Sequence, residues 1–260
     1  MFHRRTLWIA AAISLSAWAQ ELPPGTLLLA RVKARVRESL ADLPDCTCIE
    51  NVRRFDKAGP DPVLKPLDRL QFQILFSRDR ELYALPGTSR WETDPSAFVN
   101  AGSIGNGVFA LYLKVLFVNG QASFTYRGAG EEFQLSTPQY DFRVPVLTSG
   151  LRLSAGHASA IVAMKGSVWV DPASFDVVRI EMHADEIPAG LPFKEVHSVI
   201  DYARVRIGSS DLLLPQAANT DTLLLSGEES RNVIEFTDCK AFHAESTLRF
   251  GAQPVEAKKP

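Results

Sequence analysis

Residues 166–182 read GSVWVDPASFDVVRIEM, and the reading of this stretch decides the fold. Asp171-Pro172-Ala173-Ser174 carries turn residues, so the flanking segments read as two strands folded back on each other. On the second strand Val178, Ile180 and Met182 share one face, while Val177, Arg179, Glu181 and His183 share the other. That is the period of two of a sheet whose faces are solvated differently. On the first strand Trp169 lies out of phase with Val168 and Val170, so both faces are apolar there. Such a sheet needs cover on both sides.

Outward from this hairpin, nearly everything from residue 121 on is strand-like: ASFTYRG, EEFQLS, YDFRVPV, LRLSAG, SAIVAMKGSVWVD, FDVVRIEMHA, KEVHSVIDYARVRIG, LLLPQAANTDTLLL and NVIEFTDCKAFHAESTLRF. Short turns of Gly, Asp, Pro and Ser separate these segments, which predicts an antiparallel meander. Upstream, CTCIENVRRF reads as a strand. RLQFQILFSRD (69–79) sets Leu70, Phe72, Ile74 and Phe76 against Gln71 and Gln73, a clear amphipathic strand. Between them DKAGPDPVLKPLD is a loop punctuated by proline.

Two helices are expected. TLLLARVKARVRESLADL (26–43) places Leu28, Val32, Val36 and Leu40 at spacing four, with Arg31, Lys33, Arg35 and Arg37 on the other side. The basic side reads as a solvated face, with transient contact to an anionic membrane surface as its functional counterpart. Residues 106–118, NGVFALYLKVLFV, are apolar almost all round, with Lys114 the single charge. A helix of that kind is a core helix, since it is too short to cross a bilayer.

The first residues, MFHRRTLWIAAAISLSAWAQ, join a basic start (Arg4, Arg5) to an apolar stretch and then to Ala17-Trp18-Ala19. This is the pattern of a cleavable export signal over residues 1–19. The expected products are a single domain over 20–251, periplasmic or secreted, and a frayed tail over 252–260. Removing residues 1–19 leaves 26 Lys and Arg against 30 Asp and Glu, a net charge of −4. A mildly acidic chain with scattered charge gives no case for nucleic acid.

Cys46, Cys48 and Cys239 are the three cysteines. An oxidising compartment favours one disulfide. Cys46 and Cys48 project from the same face of one strand, a poor geometry for bonding each other. Cys239 is therefore expected to bond Cys48, with Cys46 as the alternative. The bridge would staple the first strand to the last and contribute on the order of 4 kcal/mol. A Cys-x-Cys metal site lacks its second pair of ligands.

Motifs of catalysis are missing: no nucleophile elbow, His-Glu-x-x-His pair, P-loop or EF-hand loop occurs. The glycines of GSIGNG (102–107) have the wrong spacing and context for a dinucleotide fingerprint. His183 and His197, with Glu181, Glu195 and Asp201 near in sequence, lie in the polar phase of strands that are expected neighbours. A metal or acid–base site can be drawn there, and a hydrated outer face is the simpler reading. The expectation is a protein that is not an enzyme and carries no cofactor and no metal.

The order of these parts, with the hairpin 166–182 and the stretches IDYARVRIGSSDLLLP and EFTDCKAFHAESTLRF, resembles the LolA/LolB superfamily of periplasmic lipoprotein carriers. It is similar also to the related amino-terminal domain of the sigma-factor regulator RseB. The resemblance implies a mainly β (α+β) fold: a strongly curved antiparallel half-barrel with two helices across its concave side. It implies binding or carriage of a lipid, a lipoprotein acyl chain or another hydrophobic molecule in the hollow. The alternative it offers is an envelope sensor or interaction module with a protein partner. The lining residues it nominates are Phe72, Ile74, Phe76, Phe124, Tyr126, Tyr140, Phe142 and Trp169. The lid it nominates is the 108–118 helix with Phe109, Leu113 and Leu116.

Overall fold

In the computed structural model residues 22–23, 25–57, 63–77, 80–107, 109–119, 121–130 and 137–242 are described. The expected export signal, the segment EEFQLS (131–136), the end of the last expected strand and the expected tail lie outside the described residues.

Helix α1 (Thr26–Ala41) forms where the spacing of four predicts it, with Val32 and Val36 fully buried. β1 (Cys46–Lys57), β2 (Lys65–Ser77) and the short β3 (Arg80–Ala84) follow as an antiparallel arm. β3 was not expected from the sequence, and β2 starts inside what reads as a proline-rich loop. After a connection without strands come α2 (Leu111–Leu113), a π-helical turn over Lys114–Val118, β4 (Ser123–Gly130) and β5 (Thr137–Val144). The helix expected over 106–118 is thus confined to 111–118, and more than half of it is wound wide. Its glycine-rich approach keeps a left-handed backbone at Gly107 (φ 82°), which no helix accommodates.

A short helix α3 (Val146–Ser149) leads to the hairpin β6 (Arg152–Ala155) and β7 (Ala158–Ile161). β8 (Ala163–Val170), β9 (Val177–Asp185), β10 (Phe193–Ile207), β11 (Ser210–Leu224) and β12 (Glu229–Ala241) then run as the expected meander. Ten strands make one open antiparallel sheet in the order β3-β2-β1-β12-β11-β10-β9-β8-β5-β4, and β6 and β7 pair separately. The first long strand lies beside the last, Val52 opposite Ile234. Cys48 is bonded to Cys239 across that seam with Cα atoms 4.1 Å apart, and buried Cys46 is free.

Apolar packing is concentrated on one face of the sheet; on the other, Glu181, His183, His197 and Asp201 stand partly exposed, so the cover on both sides that the opening hairpin suggests is not found over β9 and β10. One face packs on α1 and on residues 109–117, forming the main core with Phe72, Ile74, Tyr140, Val168, Ile180, Met182 and Ile200. Farther along the same face, where Val196 of β10 shares the phase of Ile200, Leu153 of β6, Val162, Leu191 and Val196 make a small second core.

The phase of the opening hairpin differs from the sequence reading at one point. A bulge between Trp169 and Val170 shifts the register, so that Trp169 faces Arg179 and Val170 faces Val177. Val177 therefore enters the main core and Val178 turns outward.

Candidate functional site

The centre of the molecule is an apolar plug, residues 109–118, lying on the face of the sheet that also carries α1. Phe109 meets Phe76 of β2 and Phe236 of β12, with ring centroids 6.2 and 5.8 Å away. Phe117 stacks on Phe124 of β4 at 5.3 Å. Leu113, Leu116 and Phe117 are buried, and the π turn packs against α1. The plug contributes no strand to the sheet.

Polar side chains hold the plug at its start. Glu81 of β3 is 4% exposed. Its Oε1 accepts the N–H of Ala110 (2.8 Å) and of Leu111 (3.2 Å); Oε2 accepts the N–H of Gly107 (2.9 Å) and the Tyr83 hydroxyl (2.8 Å). A carboxylate thus satisfies donors at the start of α2 that have no partner within their own helix. Burial pushes the Glu81 pKa up, against the lowering effect of these bonds.

Glu50 of β1 is buried beside it. Removal from water, then the Glu81 charge, raises its pKa to about 8. Its Oε2 has no hydrogen-bond partner, nor have the buried oxygens Tyr202 Oη and Asn232 Oδ1. Burial is also the first cause of the raised pKa values of Tyr83, Tyr112 and Tyr202, and the Glu81 charge is the second. Two carboxyls and three phenols therefore form one electrostatically connected group in the buried interior.

Arg54 anchors the approach to the plug. Its guanidinium forks onto Asp68 at 2.8 and 2.6 Å and donates to the carbonyls of Ala101 (2.6 Å) and Ser103 (3.4 Å). Asn232 donates to the Ser103 carbonyl as well (3.2 Å). Glu50, Arg54, Glu81 and Tyr83 were not nominated from the sequence. The signal was available for two of them: Glu50 and Arg54 stand in the same phase of β1 as Cys46, Cys48 and Val52, a core phase in which a charge is costly.

Most of the nominated lining residues are brought together. Phe72, Ile74, Phe76, Tyr140 and Phe142 are buried in the main core, with Phe124 and Tyr126 half-buried against it. Tyr126 and Tyr140 pack at 5.1 Å, and the Tyr140 hydroxyl donates to the Gly25 carbonyl at 2.8 Å, which docks the start of α1. Trp169 is the exception. It pairs with Gln139 and Arg179 on the opposite face, because period two separates it from Val168 and Tyr140. The plug, α1 and the protein's own side chains fill the site. Among the described residues, one recess of 540 Å3 lies by Lys165, Ile187 and Leu225, and another of 310 Å3 by Asp171, Val178 and Tyr202. Neither is lined by a nominated residue.

The basic side of α1 is engaged with the sheet. Lys33 lies over the Phe124 ring at 4.9 Å, Arg31 over Phe175 at 5.4 Å, and Arg35 reaches Asp176 at 3.3 Å. No described helix is long and apolar enough to cross a membrane.

No family model matches the chain, and no curated protein does. Two solved structures are similar in fold. One is a LolA superfamily protein from Nitrosomonas europaea, at 14% identity and a TM-score of 0.41, covering 84% of this chain and 94% of that one. The other is a DUF1329 family protein from Desulfovibrio piger, at 11% identity and a TM-score of 0.41, covering 84% of this chain and 95% of that one.

Proposed function

We propose that this chain is an exported binding or carrier protein for a hydrophobic molecule, a lipid or the acyl chain of a lipoprotein. In its resting state the chain's own plug occupies the ligand's place. One observation carries the reading: an apolar segment that belongs to no strand bridges the two ends of the sheet, held at its start by a single buried carboxylate. Phe76 lies on β2 and Phe124 on β4, eight strand spacings apart. On a flat sheet that is about 38 Å. The plug reaches from one to the other in eight residues, about 12 Å of helix. A sheet curved around the plug reconciles these lengths, and the concave face that results suits an acyl chain in polarity.

Gly102 and Gly107, both at positive φ, precede the plug and supply hinge points for its displacement. Once displaced, the plug exposes Phe72, Phe76, Tyr140 and Phe142 and leaves apolar surface for a ligand to cover.

Titration with a fluorescent fatty acid, together with mass spectrometry of organic extracts from protein purified out of its native compartment, tests the proposal. Saturable uptake, increased in Glu81→Gln, is the expected result. A clean extract with no uptake by either form rules the carrier out.

A further inference from the structure

On the face of the sheet opposite the plug, β9 and β10 bring two histidines into direct register. His183 stands across from His197. Their rings are stacked with centroids 4.3 Å apart and planes 16° from parallel. Both turn Nε2 towards the same carboxylate oxygen, Glu181 Oε1, at 3.4 Å for His183 and 3.1 Å for His197. One ligand atom from each of the three residues lies within 4.8 Å of the other two.

We propose that Glu181, His183 and His197 form a binding site for a divalent transition-metal ion of zinc type. Two imidazoles and one carboxylate suit a borderline-soft ion and are too poor in oxygen for calcium or magnesium. Zinc bonds of about 2.0–2.1 Å in a tetrahedron put ligand atoms about 3.3 Å apart. The two distances to Glu181 already have that size, so only the two imidazoles need to adjust. Three protein ligands leave the fourth position to water or to a donor from outside.

The surroundings fit a cation. Glu195 Oε1 lies 3.7 Å from His183 Nδ1, the nitrogen that would face away from the metal. A carboxylate in that place selects the tautomer in which Nε2 is free to bind. Lys165 pairs with His183 from the β8 side, and its ammonium is held by Asp185 at 3.0 Å. Asp221 pairs with His197 from the β11 side, adding a second acid whose charge Arg231 balances. The rival reading is an ordinary hydrogen-bonded pair on a hydrated face. One carboxylate oxygen can accept from both imidazoles, so the two readings differ in whether zinc binds.

The test is calorimetric titration of the metal-stripped, tag-free chain with zinc, with magnesium as control. One equivalent should bind zinc and none should bind magnesium. His197→Ala and His183→Ala should abolish binding, Glu195→Gln should weaken it about tenfold, and His157→Ala, on the β6–β7 turn and outside the cluster, should change nothing. Circular dichroism of each variant confirms that it folds. Zinc should raise the melting temperature of the wild type and leave that of His197→Ala in place. Failure of the folded wild type to bind zinc, or binding that survives His197→Ala, overturns the site. Neither outcome bears on lipid carriage, which uses the other face.

Discussion

Glu81 accepts the backbone N–H of Ala110 at 2.8 Å across 29 residues of chain, and both groups are buried. A β-strand side chain thereby fixes where an apolar segment begins its helix. Glu81→Gln keeps the shape and replaces one acceptor oxygen by a donor facing backbone donors. We expect a loss of about 2–3 kcal/mol, and faster amide hydrogen exchange concentrated at residues 107–117. Uniform loss of protection across the sheet would mean that the carboxylate supports the whole core rather than the plug.

Glu50 makes stability depend on pH with a definite sign. Its folded pKa, about 8, lies above the value of about 4.3 for a glutamate in an unfolded chain. Between those values the unfolded chain has lost a proton that the folded one keeps. This contribution is therefore complete below about pH 4 and is lost as pH rises through 8, by several kcal/mol in all. Glu81 shifts in the same direction. Asp176 opposes them at the acid end: despite burial, the Arg204 fork and Arg35 hold its pKa low, so its contribution disappears in acid. Denaturant midpoints should be higher at pH 5.5 than at pH 8, and Glu50→Gln should remove most of the difference. Equal midpoints in the wild type would contradict the burial of Glu50.

Non-reducing peptide mapping should recover Cys48 joined to Cys239. Cys46, whose thiol burial raises to about 11, should resist alkylation until the protein is unfolded. The bridge closes a loop of 191 residues, so Cys48→Ser is expected to cost about 5 kcal/mol on the chain-entropy model. A mapped Cys46–Cys239 bond would refute the assignment.

Trp169 and Phe76 separate the two faces. Phe76→Ala should lower stability by about 3–5 kcal/mol and diminish fatty-acid uptake. Trp169→Phe should leave uptake unchanged, because its ring stands on the outer side of the sheet. Impaired uptake in Trp169→Phe would place the ligand on that side instead.

Elements set by a clear period were legible in the sequence. The spacing of four in α1, the alternation of β2 and that of β9 from Arg179 to His183 indicate their faces directly, and the poor geometry of Cys46 with Cys48 points to the long-range bridge. Short-range patterns failed where a tertiary contact decides. β3 is five residues long and carries Glu81 in a buried position, so its pattern resembles a loop until the plug's backbone donors stand opposite. A bulge at Val170 moved Val177 inward, and no composition signal marks a bulge of that kind. The uniformly apolar 106–118 suggested one helix, and the glycine conformation at 107 delayed its start.

The seam between β1 and β12 has a consequence for the order of assembly. Among the described residues the amino-terminal arm β1–β3 joins the rest of the sheet only through β12, so it waits with an unpaired edge until residues 229–241 have been synthesised. Pairings so distant in sequence form slowly. In that interval an exposed edge invites association with other copies, and two thiols two residues apart compete for Cys239. Yield in the oxidised form should then respond strongly to a thiol–disulfide isomerase.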